Sequence, residues 1–284
     1  MDRPRDRRRG ASPAIGSHGL TRLAYPARVA RTFAIGDIHG DIEHLDRLLS
    51  KLPHPDPDDT LVFLGDYVDR GPCSKLVIER VREIEASGKC RVVCLRGNHE
   101  DAWLRVIDEG WPEFLVPRGN GCLEALRSFT GGDVPGEEDA PTNEEMRVLF
   151  KGSFFPPDVV SWMRTLKFHH EDEHAIYVHA GLPHMPRPAE EGGGRYFPHP
   201  TEVDPQIALL WTRSHEFFSD YRGKLVVVGH TATEQLPVEL SAYTPADPTD
   251  LWAGPAVVAI DTRCGKGGFL TAVELPGRLV YESR

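Results

Sequence analysis

Between residues 31 and 110, short apolar runs alternate with stretches whose apolar positions recur every three or four residues. FAI (33–35), LVFL (61–64) and CRVVCL (90–95) have strand length and little polar character, as expected of strands buried on both faces. DIEHLDRLLSKL places Leu45, Leu48, Leu49 and Leu52 on one helical face, and SKLVIERVREIEAS does the same with Val77, Val81 and Ile84. Strand–helix alternation of this kind predicts βαβ units and a sheet that is at least partly parallel. Strand patterns return at AIYV, KLVVVG, AVVAI, GFLTAVEL and LVY. The fold class expected is therefore α/β.

Two stretches interrupt the alternation. From about 110 to 170 the pattern becomes helical, in CLEALRSF, EEMRVLF and PPDVVSWMRTL, around an acidic Gly/Pro loop, GGDVPGEEDAPTNEE. Residues 183–204 form a second Pro/Gly-rich surface stretch. Residues 1–30 are basic, show no sustained period and lack the apolar segment of a secretory signal, which predicts a disordered tail rather than a nucleic-acid arm. A single domain over 31–284, with a variable segment at about 110–170, is expected.

Composition narrows the partners. Hydrophobic residues make up 40%, charged residues 27%, and the net charge is -10. That balance suits a soluble domain and argues against a nucleic acid or an anionic membrane as partner. It leaves open local arginines that bind a phosphate. Five cysteines without paired spacing give no zinc-finger framework, and reduced thiols in a cytoplasmic protein fit them best.

Candidate chemistry collects where the strands end. FAI runs into GDIHG with Asp37 and His39; LVFL into GDYVDRG with Asp66, Asp69 and Arg70; CRVVCL into RGNHE with Arg96, Asn98 and His99. AIYV ends at His179 and KLVVVG at His230. Taken singly, a GD after a strand is a turn and a lone His a core residue. Together they lie at the carboxyl edge where open α/β sheets bind ligands. Carboxylate, imidazole and amide donors suit divalent manganese, iron or zinc. Asp37, His39 and Asp66 could hold one ion, and Asn98, His179 and His230 a second, with Asp66 shared. The polar run HHEDEH, with His169, His170 and His174, reads as a solvated turn rather than a third metal site.

In these motifs and their order, the chain resembles the phosphoprotein phosphatase family of calcineurin-like metallophosphoesterases. GDYVDRG and LRGNHE carry most of the specificity, and the similarity spans roughly residues 32–275. The resemblance implies a central β-sandwich flanked by helices, with a dinuclear metal site at strand carboxyl ends, manganese being the first candidate. It implies that His99 is a general acid held by Asp69, and that Arg70 and Arg96 grip phosphate oxygens, joined by Arg213 of LLWTR. A metal-bridging hydroxide would attack phosphorus in line.

HAG in place of HGG, and the lack of a SAPNYC-like ending, resemble the bacterial and phage serine/threonine phosphatase branch. Symmetrical dinucleoside tetraphosphate hydrolases resemble the region after GNHE and IDTRCGKGG, but they commonly replace the residue equivalent to Asp69. The expectation is a phosphomonoesterase acting on phosphorylated protein. Hydrolysis of a dinucleoside tetraphosphate or another small nucleotide is the alternative, and a non-catalytic phosphate-binding scaffold the third.

Overall fold

The computed structural model describes residues 29–187, 194–241 and 250–284, so the basic tail expected over 1–30 lies almost wholly outside the described residues. The first half runs β1 (Thr32–Ile35), α1 (Ile42–Lys51), β2 (Thr60–Phe63), α2 (Ser74–Ala86), β3 (Arg91–Cys94) and α3 (Asn98–Glu109). A helical stretch follows: α4 (Pro112–Leu115), α5 (Cys122–Thr130), α6 (Asn143–Leu149) and α7 (Pro157–Thr165). Then come β4 (His169–Glu171), β5 (Ile176–Val178), a ribbon of β6 (Met185–Pro186) and β7 (Arg195–Tyr196), α8 (Ala208–Trp211) and α9 (His215–Asp220). The chain ends with β8 (Val226–Val228), β9 (Trp252–Ala253), β10 (Val257–Ala259), β11 (Thr271–Leu275) and β12 (Leu279–Glu282).

Two five-stranded sheets result, ordered β12-β11-β1-β2-β3 and β4-β5-β8-β10-β9. β1, β2 and β3 are mutually parallel, as are β5, β8 and β10, while antiparallel strands lie at one edge of the first sheet and at both edges of the second. Period-two geometry sorts the apolar runs into three layers. Ala34, Val62, Leu64 and Val93 of the first sheet meet Tyr177, Val227, Val258 and Ile260 of the second in one shared core. Their neighbours Phe33, Ile35 and Phe63 face out onto α1, α2 and α3. On the far side, Ile176, Val178, Val226 and Val228 pack against Phe217 and Phe218 of α9. Each large side chain fully buried in this way contributes roughly 1.5–3 kcal/mol. The result is the expected β-sandwich flanked by helices.

Local signals agree with this frame. The side chain of Asp41 accepts the His44 N–H to cap α1, and Pro157 sits in the first turn of α7. One stretch differs from the sequence reading. The start of HHEDEH is an edge strand, β4, pairing antiparallel with β5, and only the residues after it turn. An edge strand exposes one flank to water, so polar side chains cost it little. Among the described residues, no helix is long and apolar enough to cross a membrane.

Candidate metal centre and active site

Every parallel strand of the first sheet delivers its loop to the same edge, and β5 and β8 of the second sheet deliver theirs beside it. The backbone there is unusual: His39, Asp66, Asp69, Arg70 and His230 all have left-handed φ, between 47° and 71°. Non-glycine residues adopt such angles only where the surroundings overdetermine them. Around Asp66 the determinant is a buried carboxylate. Glu100, fully buried, accepts the backbone N–H groups of Asp66, Tyr67, Val68 and Gly97 at 2.8–3.3 Å. It clamps the turn after β2 to the start of α3 and sets where Asp66 and His99 point.

The candidate ligands are brought together on this frame. His39 Nε2 lies 3.3 Å from Asp66 Oδ2 and 4.0 Å from Asp37 Oδ2. His179 Nε2 lies 3.5 Å from Asp66 Oδ1. Asn98 Oδ1 is 3.0 Å from His179 Nε2 and 2.8 Å from His230 Nδ1. Two groups of possible ligand atoms converge, His39–Asp66–His99 and Asp37–Asp66–His179, and Asp66 belongs to both. Gly229 is forced by this crowding, because a Cβ there would collide with Asp37 Oδ1.

The chemistry of these donors fits divalent cations. His39 Nδ1 donates to Val68 O at 3.0 Å and His179 Nδ1 to Leu64 O at 2.9 Å. Both rings therefore turn the Nε2 lone pair into the site, the tautomer that second-shell carbonyls select in metal-binding histidines. In this tautomer His179 Nε2 and Asn98 Oδ1 are two acceptors facing each other, an arrangement a cation relieves. Asp37 Oδ1 and His230 Nε2 are buried without a hydrogen-bond partner. Burial also holds the rings of His39, His179 and His230 below the usual histidine range, aided at His39 by the charge of Arg70. Neutral imidazole is the ligand form. Asp37 is pushed well above the carboxylate range by burial and by Asp261 and Asp66, a repulsion between carboxylates that bound cations would offset.

Beside these donors stands a buried hydrogen-bonded pair. His99 Nδ1 donates to Asp69 Oδ2 at 2.7 Å. Trp103, one helical turn after His99 on α3, donates its indole N–H to both Asp69 oxygens at 2.9 and 3.0 Å. Burial raises Asp69 above its usual range, and the hydrogen bonds from His99 and Trp103 oppose that rise. The His99 ring packs edge-on against Phe114.

The arginines separate. Arg70 reaches inward, with Nη1 against His39 Nε2 and Nη2 3.4 Å from His99 Nε2. Arg213 hydrogen-bonds the His230 carbonyl and shares a cavity with Arg70. Arg96 does not join them. Its guanidinium lies over the Phe168 ring, donates to Arg164 O at 3.1 Å and approaches Asp101 at 3.8 Å. The phosphate grip expected of Arg96 therefore has no support in its position; that side chain braces α3 against the start of the second sheet.

Neither Glu100, which closes RGNHE, nor Trp103 is given a role by the motifs, and IDTRCGKGG, although it carries part of the resemblance, gives none to Arg263 or Lys266. A trace of Trp103 was present, since i and i+4 share a helical face. Along the chain, Glu100 is indistinguishable from an ordinary acidic residue in the first turn of a helix. Lys266 lay in a glycine-rich tail end whose position beside Arg70 only folding reveals.

The chain belongs to the calcineurin-like phosphoesterase family, whose model matches residues 30–234. It is 30% identical over 150 residues to a symmetrical bis(5'-nucleosyl)-tetraphosphatase of Nitrosospira multiformis, a match covering 53% of this chain and 43% of that protein. A protein of the same name from Dechloromonas aromatica is 27% identical over 88% of this chain and 95% of its own length. The serine/threonine-protein phosphatase 6 catalytic subunit of Drosophila melanogaster is 41% identical over 111 residues, covering 36% of this chain and 35% of that protein. Among solved structures, a cold-active protein-tyrosine phosphatase of a psychrophilic Shewanella species shares the fold, with a TM-score of 0.54 at 16% identity over 90% of this chain and 78% of its own.

Proposed function

We propose that this metallophosphoesterase is a phosphomonoesterase that releases phosphate from phosphoserine or phosphothreonine in proteins. The observation carrying this reading is the buried pair His99–Asp69, reinforced by Trp103. A serine or threonine alkoxide is a strongly basic leaving group and departs only with a proton, which His99 Nε2 supplies. Asp69 holds the ring in register and stabilises its imidazolium form. A terminal phosphate oxygen of a nucleotide is a far weaker base, and a leaving group of that kind draws less benefit from such an acid.

Asp37, His39, Asp66, Asn98, His179 and His230 would hold two divalent ions, manganese first among the candidates, with iron or zinc behind it. When bound, these ions supply Lewis acidity and a nucleophile competent near neutral pH. Arg70 and Arg213 receive the phosphoryl oxygens with paired N–H donors. A second reading, symmetrical hydrolysis of a dinucleoside tetraphosphate, draws support from the nearly end-to-end similarity to the Dechloromonas protein.

The test is phosphate release by manganese-loaded protein and its His99→Asn variant, on a phosphothreonine peptide and on diadenosine tetraphosphate. The expected outcome is preference for the peptide and a fall of kcat on it by about 10²-fold or more in the variant. Preference for the dinucleotide, with little effect of His99→Asn on it, would replace the first reading by the second.

A further inference from the structure

Next to the two phosphate-binding arginines the structure holds cations for which the reaction has no use. A cavity of about 180 Å³ is lined by Arg70, Arg213, Arg263 and Lys266, with Glu234 and Asp261 among its walls. Glu234 pairs with the Arg263 guanidinium at 3.0 Å, while Asp261 accepts the Arg263 backbone N–H at 3.0 Å and keeps its charge, which attracts Lys266. Among the described residues, no carboxylate lies within ion-pairing reach of Arg70, Arg213 or Lys266, and Arg70 Nε is buried without a partner. Arg70, Arg213 and Lys266 therefore line one cavity against the single carboxylate of Asp261, an excess of positive charge that a bound anion relieves.

The loop that carries Lys266 is built as the site loops are. Arg263 has φ of 63°, a left-handed value like those of the five site residues. The Lys266 N–H and the Gly268 N–H both return to Arg263 O, making a tight turn. Gly265, at φ of 73°, packs on the backbone of His39 so closely that a Cβ there would strike the His39 carbonyl. Lys266 is thus seated directly beside the ligand loop. Partial desolvation, then the neighbouring charge of Arg70, holds its ammonium below the usual lysine range, opposed by Asp261, although the residue as a whole is exposed.

We propose that Lys266, beside the Arg70–Arg213 pair, forms a second oxyanion subsite, selecting substrates that carry a further phosphoryl or carboxylate group next to the scissile phosphate. The inference rests on Arg70 and Arg213 receiving the scissile phosphoryl group, as proposed above. Two sources share this chemistry: a polyphosphate chain, and an acidic side chain flanking a phosphorylated residue.

The experiment compares kcat/KM on p-nitrophenyl phosphate, on phosphothreonine peptides with either Glu or Ala flanking the phosphoresidue, and on diadenosine tetraphosphate. Lys266→Ala is expected to cost substrates with a second oxyanion about tenfold more than it costs p-nitrophenyl phosphate, chiefly through KM, with Lys266→Arg recovering most of it. The substrate arm showing the larger loss names the source. An equal loss on all substrates, or none, overturns the subsite. A second measurement needs no turnover: without added metal, inorganic pyrophosphate should raise the Tm of the His99→Asn protein more than inorganic phosphate does, and adding Lys266→Ala should remove the difference. Equal stabilisation overturns the subsite even if phosphoesters are hydrolysed. A retained Tm difference without phosphomonoester turnover overturns the function and leaves the subsite standing.

Discussion

The two walls of the site are built from opposite materials. Behind His99 stands an aromatic wall: Phe114 against the His99 ring, Trp103 against Phe114 at 5.7 Å, and Trp111 against both Phe114 and Trp211. Beside His230, the charges of Arg213, Arg263 and Lys266 outnumber those of Glu234 and Asp261 and make a cationic wall. The aromatic wall excludes water and holds Asp69 and His99 through the Trp103 indole; it has little to offer an anion. Its cationic counterpart is more open, with Arg213 and Lys266 exposed, and under the proposed function its charges face the substrate. In the proposed reaction, one wall sets the geometry of proton transfer and the other reads charge. Changes in the first should therefore act on kcat or stability, and changes in the second on KM.

The most severe way to break this division is to remove what both walls share. Asp66→Asn, or chelation of the metal, should lower turnover on the order of 10³-fold or more on every phosphoester, with manganese restoring the chelated protein but not the variant. Assay before and after dialysis against chelator checks it. Next comes Glu100→Ala, which strands buried backbone N–H donors and should cost at least about 3 kcal/mol in urea unfolding, whereas Glu100→Gln keeps an acceptor and should cost less. Trp103→Phe keeps the aromatic packing and deletes the N–H to Asp69. Its kcat on a phosphothreonine peptide should fall about tenfold while KM holds, and a rise in KM alone would move Trp103 to the other wall. Arg213→Ala should do the reverse, raising KM about tenfold on the same peptide. Arg96→Ala should be mildest for chemistry, changing kcat/KM by less than about threefold while lowering stability through lost packing on Phe168. A loss as large as that of Arg70→Ala would restore Arg96 to the site.

Much of this was legible along the chain because parallel strands impose a direction. β1, β2, β3, β5 and β8 run the same way within their sheets, so residues just after each apolar run must meet at one edge. GDIHG, GDYVDRG, GNHE, HAG and GH could thus be assembled before any coordinates. The arginines could not be. Arg70 and Arg96 both follow strands and both neighbour site motifs, yet one enters the cavity and the other stacks on Phe168. Side-chain direction depends on local φ, left-handed at Arg70, and on which neighbours offer a surface; neither is periodic in sequence.

By itself, then, the sequence determined the alternation of buried strands and helices, the edge at which ligands gather, and donor types that suit divalent cations. Those are consequences of chain direction, hydrophobic period and residue chemistry, all of them local. Tertiary structure alone decided that Trp103 donates to Asp69, that Glu100 clamps two loops, that Arg96 turns away and that Lys266 arrives beside Arg70. Each of these joins residues brought together by the packing of separate elements, and such contacts depend on distances in space that spacing along the chain does not encode.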